Sequence, residues 1–375
     1  MRSPSMRLVQ AAFAATLLTL TAAAPAVASP NVVVGDYIVT VADQDNGAQA
    51  ATRHGVTATH TYSYVLHGFA AKLTSRQLIA LRADPSVTRI TANGVMTIQT
   101  TQPNPPSWGL DRIDQTNLPL SNSYTYNSTA ANVHAYVIDT GIDIKVAEFG
   151  GRAVWDLNTA GGPNKDCHGH GTHVAGTIGS ATYGVAKQVR LHAVKVLNCS
   201  GSGTFAGVIA GMDWVAANHI SPAVANMSLG GGFDASVNAA LNNLANSGVF
   251  VAVAAGNSGA NACNFSPASA ANATTVMASD INDNRASFSN FGSCTHLYAP
   301  GVNILSTQPR NRTATFSGTS MATPHVAGVA ALYKATFGDA PFPTVRSWIV
   351  GHATPGVING NPAGTPNLLL FTSGL

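Results

Sequence analysis

The stretch DCHGHGTHVAG, Asp166 to Gly176, packs three histidines, an aspartate and a cysteine into eight residues. Three chemistries fit such a run: a metal nest, a proton shuttle, or a glycine-rich turn that happens to hold histidines. A zinc helix sets two histidines four apart with a glutamate between them, as H-E-x-x-H. Here His168, His170 and His173 are spaced by two and three, no glutamate is present, and Gly169 and Gly171 make the first half a turn. Cys167 has a second use open to it, since cysteines of exported proteins belong in disulfides rather than on a metal. The metal reading is therefore the weaker one.

Two distant motifs favour the proton shuttle. FSGTSMATPHVAG, Phe316 to Gly328, sets Ser320 between a Gly-Thr turn and an apolar run that reads as a helix. A helix N-terminus offers unpaired N–H groups and positive potential, which suits anionic character on a nearby oxygen. The motif approaches the nucleophile elbow G-x-S-x-G, but Ala322 replaces the last glycine. YVIDTGID sets Asp139 where a buried strand enters a turn. Each alone has a plainer explanation, a capping serine and a capping or Asx-turn aspartate. Together Asp139, His170 and Ser320 supply a complete set. A serine hydroxyl is a poor nucleophile near neutral pH and needs a base. Histidine can take its proton and return it to a leaving amine, and an aspartate fixes the imidazole tautomer. The order Asp…His…Ser is that of subtilisin; the α/β-hydrolases and the double-barrel proteases use other orders.

Alternating elements must position these residues. NVHAYVIDTGID, VRLHAVKVL, AVANMSLG, VFVAVAAGN and ATTVMAS are apolar, β-branched runs. GHGTHVAGTIGS, TFAGVIAGMDWVAAN, ASVNAALNNLANSG and TSMATPHVAGVAALYKATF are helical stretches between them. Strands alternating with helices predict an α/β fold with a mostly parallel sheet covered by helices, and sites at the carboxyl ends of its strands. Asp139 follows AYVI and Asn257 follows FVAVAAG, as that rule expects. Ahead of this body, residues 31–100 read as a β-α-β-β-α-β unit, with Ser75 capping the helix SRQLIALRADP. QTTQPNPPSWG is a Pro-rich joint.

At the start, Arg2 and Arg7 precede the apolar run Leu8 to Leu20, and AVAS offers cleavage after Ala28. That is a secretory signal over residues 1–28, too short for a membrane anchor. Charged residues make up 9% of the 375, against roughly 25% in ordinary soluble domains. Of 19 Lys/Arg and 16 Asp/Glu, the first 100 residues hold seven and four, leaving twelve of each. A formally neutral body without basic runs argues against nucleic acid as a partner. Cys167, Cys199, Cys263 and Cys294 all lie in that body, and four cysteines permit three pairings.

VIDTGI, HGHGTHVAGTIG, YGVAK, VANMSLGGG, VAVAAGN, SFSNFGSC and SGTSMATPHVAGVAALY, in this order, resemble the secreted subtilisin-like serine proteases of the proteinase K group, aqualysin type. The resemblance runs from Trp108 nearly to the C-terminus. It implies a subtilisin-like three-layer fold, preceded by a small α+β, ferredoxin-like propeptide, with a signal over 1–28, propeptide over 29–100 and catalytic domain over 101–375. It implies a secreted, monomeric endopeptidase of broad specificity that acts through an acyl-enzyme and needs no cofactor for catalysis. In it Asp139 orients, His170 is the base, Ser320 the nucleophile and Asn257 an oxyanion donor, while His168 and His173 receive no role. Gly201, Ser202 and Gly203, with Ser228, Leu229 and Gly230, match two edges that hold substrate as an added strand. The small residues around Ala254, Ala255, Gly256 and Gly230 suggest an open pocket for apolar or aromatic side chains. The disulfides implied are Cys167–Cys199 and Cys263–Cys294. Asp111, Asp114, Gln115, Ser121 and Ser123 match a calcium loop, a hard-oxygen set that suits a structural Ca²⁺. A second family calcium site has His296 where an aspartate is usual, and a histidine is a poor calcium ligand. The propeptide, whose matching parts are HGFAAKLT and LRADPSVTRI, acts as intramolecular chaperone and inhibitor and is cut off near Thr100–Thr101. TANG, Thr91 to Gly94, stands where family members carry acidic residues.

Overall fold

The computed structural model describes residues 32–94 and 100–375. The expected signal, 1–28, lies outside the described residues. Contacts divide the chain into two units, Met1–Val95 and Met96–Leu375.

In the first unit β1 (Val32–Val41), α1 (Gly47–Arg53), β2 (His60–Tyr62), β3 (Gly68–Lys72), α2 (Ser75–Arg82) and β4 (Val87–Gly94) follow the expected β-α-β-β-α-β order. The antiparallel sheet runs β2-β3-β1-β4. From the strands Val39, Phe69 and Ala71 turn inward and, with Leu81 of α2 and Ala50 and Ala51 of α1, form a small core. The cap of α2 is one residue earlier than expected. Thr74 accepts from Gln77 N and the Gln77 side chain bonds back to Thr74, a capping box, so Ser75 is the first helical residue. Between β2 and β3, Tyr64 and Val65 stand 99% and 93% exposed.

The second unit opens with β5 (Thr100–Pro103), α3 (Trp108–Ile113) and β6 (Ser123–Tyr126), and β5 pairs with β6. Then come β7 (His134–Asp139), β8 (Ala153–Asn158), α4 (His170–Gly179), β9 (Arg190–Lys195), α5 (Phe205–Asn218), β10 (Ala223–Met227), β11 (Gly231–Gly232), α6 (Ala235–Asn246) and β12 (Phe250–Ala254). β13 (Phe265–Ser266), β14 (Thr274–Ser279), β15 (Leu297–Pro300), the hairpin β16 (Ile304–Gln308) and β17 (Arg312–Phe316), α7 (Thr319–Phe337), α8 (Phe342–His352), β18 (Thr354–Pro355) and β19 (Leu368–Leu369) complete it. The main sheet runs β18-β19-β15-β14-β12-β10-β7-β9-β8 and is parallel throughout except at β18–β19. Its inner strands are buried on both faces, which is why VFVAVA and the AYVI of β7 are continuously apolar rather than alternating. β7, β10 and β12 lie side by side, so their carboxyl ends, Asp139, Met227 and Ala254, open onto one rim. Among the described residues no helix is long and apolar enough to cross a membrane.

Both expected disulfides are formed, Cys167–Cys199 and Cys263–Cys294. Most cations of this unit face inward. Lys195 Nζ donates to the carbonyls of Thr140 and Leu197, and Lys334 Nζ to Gly248 O and Asp339. Arg112 makes a two-pronged pair with Asp283, at 2.7 and 3.0 Å, and donates to Gln115 O and Thr116 O. A buried cation is tolerated where its donors are all engaged.

Candidate active site

Asp139 ends β7 fully buried, and His170 opens α4. His170 Nδ1 lies 2.8 Å from Asp139 Oδ1, which also accepts Thr140 N. Two glycines allow this approach. Gly169 caps α4 at φ +96°, a left-handed conformation that side-chain-bearing residues avoid. A Cβ on Gly171 would sit 2.1 Å from Gly141 O and 3.2 Å from Asp139 Oδ1. Gly171 is helical rather than part of a turn, so the turn ends at Gly169, two residues earlier than its glycines suggested.

Asp166 builds the turn from behind, a role the sequence reading missed. Its Oδ1 accepts Thr140 Oγ1, His168 N and Gly169 N, and its Oδ2 accepts Thr172 N and Thr172 Oγ1. It therefore holds both the residue after Asp139 and the first turn of α4. An acid just ahead of a helical run was the available signal.

The three histidines diverge. His173 is buried, stacks on Phe316 and faces the carbonyls of Ile304 and Ala314. Burial pushes its pKa down to about 4. His168 borders the cleft beside Gly201, more than the bystander position expected of it. His170 alone meets a carboxylate. Burial opposes its charged form, but Asp139 outweighs burial, and its pKa is raised above the ordinary 6.5.

Ser320 is the second residue of α7, whose N-cap is Gly318, so it is no capping serine. Its Oγ donates to Ser228 O at 3.2 Å. Pro324 lies one turn further on and has no N–H to give to the Ser320 carbonyl. Ser228 Oγ donates to that carbonyl at 2.8 Å instead, and Asn226 Nδ2 holds Ser228. The proline thus ties β10 to the start of α7.

Asn257 follows β12. Its Oδ1 accepts Thr319 N at 2.8 Å and Thr319 Oγ1 at 3.0 Å, while Thr319 Oγ1 accepts Gly256 N. With its oxygen engaged, the amide NH₂ is left for the cleft. Thr319, also missed in the sequence, sets that orientation.

Thr140, His170, Ser320 and Asn257 line one cleft of about 630 Å³, together with Gly201 to Gly203, Ser228 to Gly230 and Ala254 to Gly256. None of its lining residues is Asp, Glu, Lys or Arg. Such an arrangement can activate a hydroxyl through an oriented imidazole and stabilise an oxyanion at a helix N-terminus.

The residues expected to form a calcium loop also gather. Asp111 Oδ1 accepts Ser121 N and Oγ, Asp111 Oδ2 accepts Asn122 N, and Gln115 Oε1 accepts Ser121 N. Ser123 Oγ lies 2.8 Å from Ser121 Oγ. Asp114 Oδ2 accepts Thr125 N, but its Oδ1 is buried without a partner. Burial and the neighbouring Asp111 raise its pKa to about 6. An orphaned carboxylate oxygen beside a second carboxylate fits a hard cation.

Both units of the chain match known protein families. Residues 131–369 match the subtilase family, and residues 39–99 match the peptidase inhibitor I9 family. The extracellular serine proteinase of Thermus sp. (strain Rt41A) is 50% identical over 322 residues, 85% of this chain and 78% of that protein. Proteinase R of Parengyodontium album is 46% identical over 322 residues, 84% of this chain and 82% of that one. A crystal structure of a cold adapted subtilisin-like serine proteinase superposes with a TM-score of 0.69 at 49% identity, covering 71% of this chain and 97% of the other. The chain therefore belongs to the subtilase family of serine proteinases, with an I9 inhibitor unit preceding its catalytic body.

Proposed function

We propose that this secreted proteinase cuts proteins after apolar or aromatic residues with otherwise broad specificity, through an Asp139–His170–Ser320 triad. The observation that carries the triad is the 2.8 Å His170–Asp139 contact at the wall of the cleft that also holds Ser320. Substrate lies as an extended strand between Gly201–Gly203 and Ser228–Gly230, whose small residues let a backbone approach. Ser320 Oγ turns from Ser228 O to His170 Nε2, gives up its proton and attacks the scissile carbonyl. Asn257 Nδ2 and Ser320 N receive the oxyanion. The imidazolium, stabilised by Asp139, protonates the departing amine. Water then enters, loses a proton to His170 and releases the acyl group from Ser320. A pocket floored by Ala254, Ala255 and Gly256, with no charged lining residue, supports the apolar preference.

The further steps belong to the same reading. A signal over 1–28 directs export. The unit over 29–100 assists folding and blocks the cleft until the chain cuts itself near Thr100–Thr101. The mature enzyme, 101–375, acts as a monomer. Because Thr100 and Thr101 pair with Tyr126 and Thr125 in the structure, this strand must leave β6 for the cut to occur in cis. Asp111, Asp114, Gln115, Ser121 and Ser123 would hold a structural Ca²⁺, which neutralises the two carboxylates and takes no part in the chemistry.

Ser320→Ala tests the core of the proposal. Purified variant precursor is expected to stay unprocessed and to leave casein intact, and a sulfonyl fluoride is expected to silence the wild type. Processing and casein hydrolysis that survive the substitution would refute Ser320 as nucleophile.

A further inference from the structure

A second cleft, of about 520 Å³, adjoins the first. Three walls form it: the loop after β7, the turn before α4, and the tip of the β16–β17 hairpin. His168 lines both clefts. The walls are fixed to one another. Gln308 Nε2 donates to Gly169 O, Asp143 Oδ2 accepts Arg310 N, and Asn311 Oδ1 accepts Ala147 N.

Its charge is distinctive. The catalytic unit has twelve Lys/Arg, of which seven (Arg112, Arg152, Lys187, Lys195, Arg285, Lys334 and Arg346) are buried or half-buried. That leaves five exposed, and four of them, Lys145, Lys165, Arg310 and Arg312, line this one cleft. The ion pairs among the described residues all involve other side chains. Two carboxylates line the cleft, and both are already occupied. Asp143 accepts the N–H groups of Lys145 and Arg310, and Asp166 is consumed by the turn. A net positive cleft results, two residues from His170, in a body whose charges as a whole sum to zero.

We propose that this cleft is an exosite for acidic stretches of the protein substrate, so that glutamates and aspartates flanking the scissile bond raise the rate of cleavage. Continuity with the substrate cleft through His168 favours a polypeptide occupant over a free polyanion. The exposed cations act mainly on encounter and productive binding, and salt screens them. The proposal rests on the catalytic assignment above.

The test uses the mature enzyme and quenched-fluorescence peptides that share one cleavable centre. Three Glu, three Gln or three Lys flank it on the N-terminal or the C-terminal side. At about 20 mM salt the Glu peptide is expected to exceed its Gln counterpart in kcat/KM by about fivefold in one placement, the size of two or three exposed ion pairs, and the excess should vanish at about 0.5 M salt. The variant Lys145→Gln/Lys165→Gln/Arg312→Gln should cleave the Gln peptide at the wild-type rate and show a Glu:Gln ratio near one. A wild-type ratio near one in both placements, or a ratio that survives the triple substitution, would overturn the proposal. So would inhibition by heparin that disappears in the triple variant while glutamates give wild type no advantage, since the cleft would then take a non-substrate polyanion. Failure to cleave even the Gln peptide would count against the catalytic assignment instead.

Discussion

Thr319→Val isolates how the oxyanion donor is aimed. Thr319 touches no substrate in the proposed mechanism, yet its hydroxyl donates to Asn257 Oδ1 at 3.0 Å and accepts Gly256 N at 3.2 Å. Valine keeps the shape and the backbone bond from Thr319 N to Asn257 Oδ1 at 2.8 Å. It removes only the hydroxyl bonds. One neutral hydrogen bond contributes about 1 kcal/mol, so Asn257 loses about that much of its orientation and kcat should fall about five- to tenfold. KM should stay near wild type, because the oxyanion exists only along the reaction path. The ceiling is set by losing the donor altogether, roughly 10²–10³-fold in subtilisin. Steady-state kinetics on a chromogenic peptide, for wild type, Thr319→Val, Asn257→Ala and the double variant, make the cycle. The orphaned Gly256 N–H should also cost about 1–3 kcal/mol of stability, read separately by urea unfolding of the Ser320→Ala background. The decisive corner is the double variant. Once Asn257 is gone, Thr319→Val should change kcat by less than about twofold. An undiminished five- to tenfold loss there would show that Thr319 acts on the reaction directly and that the aiming argument is wrong.

In the proposed mechanism His170 must be neutral to accept the serine proton, and its pKa is raised above 6.5 by Asp139. The acid limb of kcat/KM should therefore lie above pH 6.5, and Asp139→Asn should move any residual limb downward while kcat falls about 10⁴-fold; a pH–rate profile decides. Asp114, with its pKa raised to about 6 from 3.8, binds its proton more tightly when folded, so without calcium it favours the fold as pH drops from about 6 toward 3.8 and weakens it above. Asp114→Asn should accordingly stabilise the calcium-free protein at neutral pH by about 1 kcal/mol, after allowing for screening by the water that reaches the group, and destabilise it in excess calcium; Tm with and without chelator should cross over. The disulfide pairs span 32 and 31 residues, so removing either should cost about 3–4 kcal/mol in urea unfolding. Loss of Cys167–Cys199 should also raise KM, since Cys199 anchors the Ser200–Gly203 edge, whereas loss of Cys263–Cys294 should not.

The long apolar elements were legible because period and length leave little choice. TSMATPHVAGVAALYKATF became α7, Thr319–Phe337, residue for residue. Other elements were not. β17, RTATF, is largely exposed and gains its order from β16, so its sequence carries no strong pattern. α3 is six residues long and α8 starts at Phe342-Pro343, beside a proline rather than a polar cap. The triad was readable through its motifs, but the clamps behind it were not. Thr319 acts through a partner 62 residues away and Asp166 reaches Thr140 across 26, separations no local rule covers, even though the place of Asp166 ahead of a helical run gave a local sign of its capping. The basic cleft was invisible for the same reason: Lys145, Lys165, Arg310 and Arg312 form no run in the sequence, and a neutral net charge hid them.

The loop between β2 and β3 has a consequence for how activity emerges over time. Tyr64 and Val65 are held almost wholly in solvent, the most accessible large apolar side chains among the described residues. They are the kind of residue an uncharged pocket accepts, and they sit on the unit that restrains the enzyme. With the proposed apolar specificity, a liberated molecule would sever another molecule's restraint at this point. The cut falls between strands that hydrogen-bond to each other, and the small core around Phe69 has little else to keep the pieces together. Each enzyme freed in this way would free others. A maturing population should gain activity along an accelerating, sigmoidal course whose lag shortens when a trace of active enzyme is added, and Tyr64→Gly/Val65→Gly should lengthen that lag without altering the enzyme finally released.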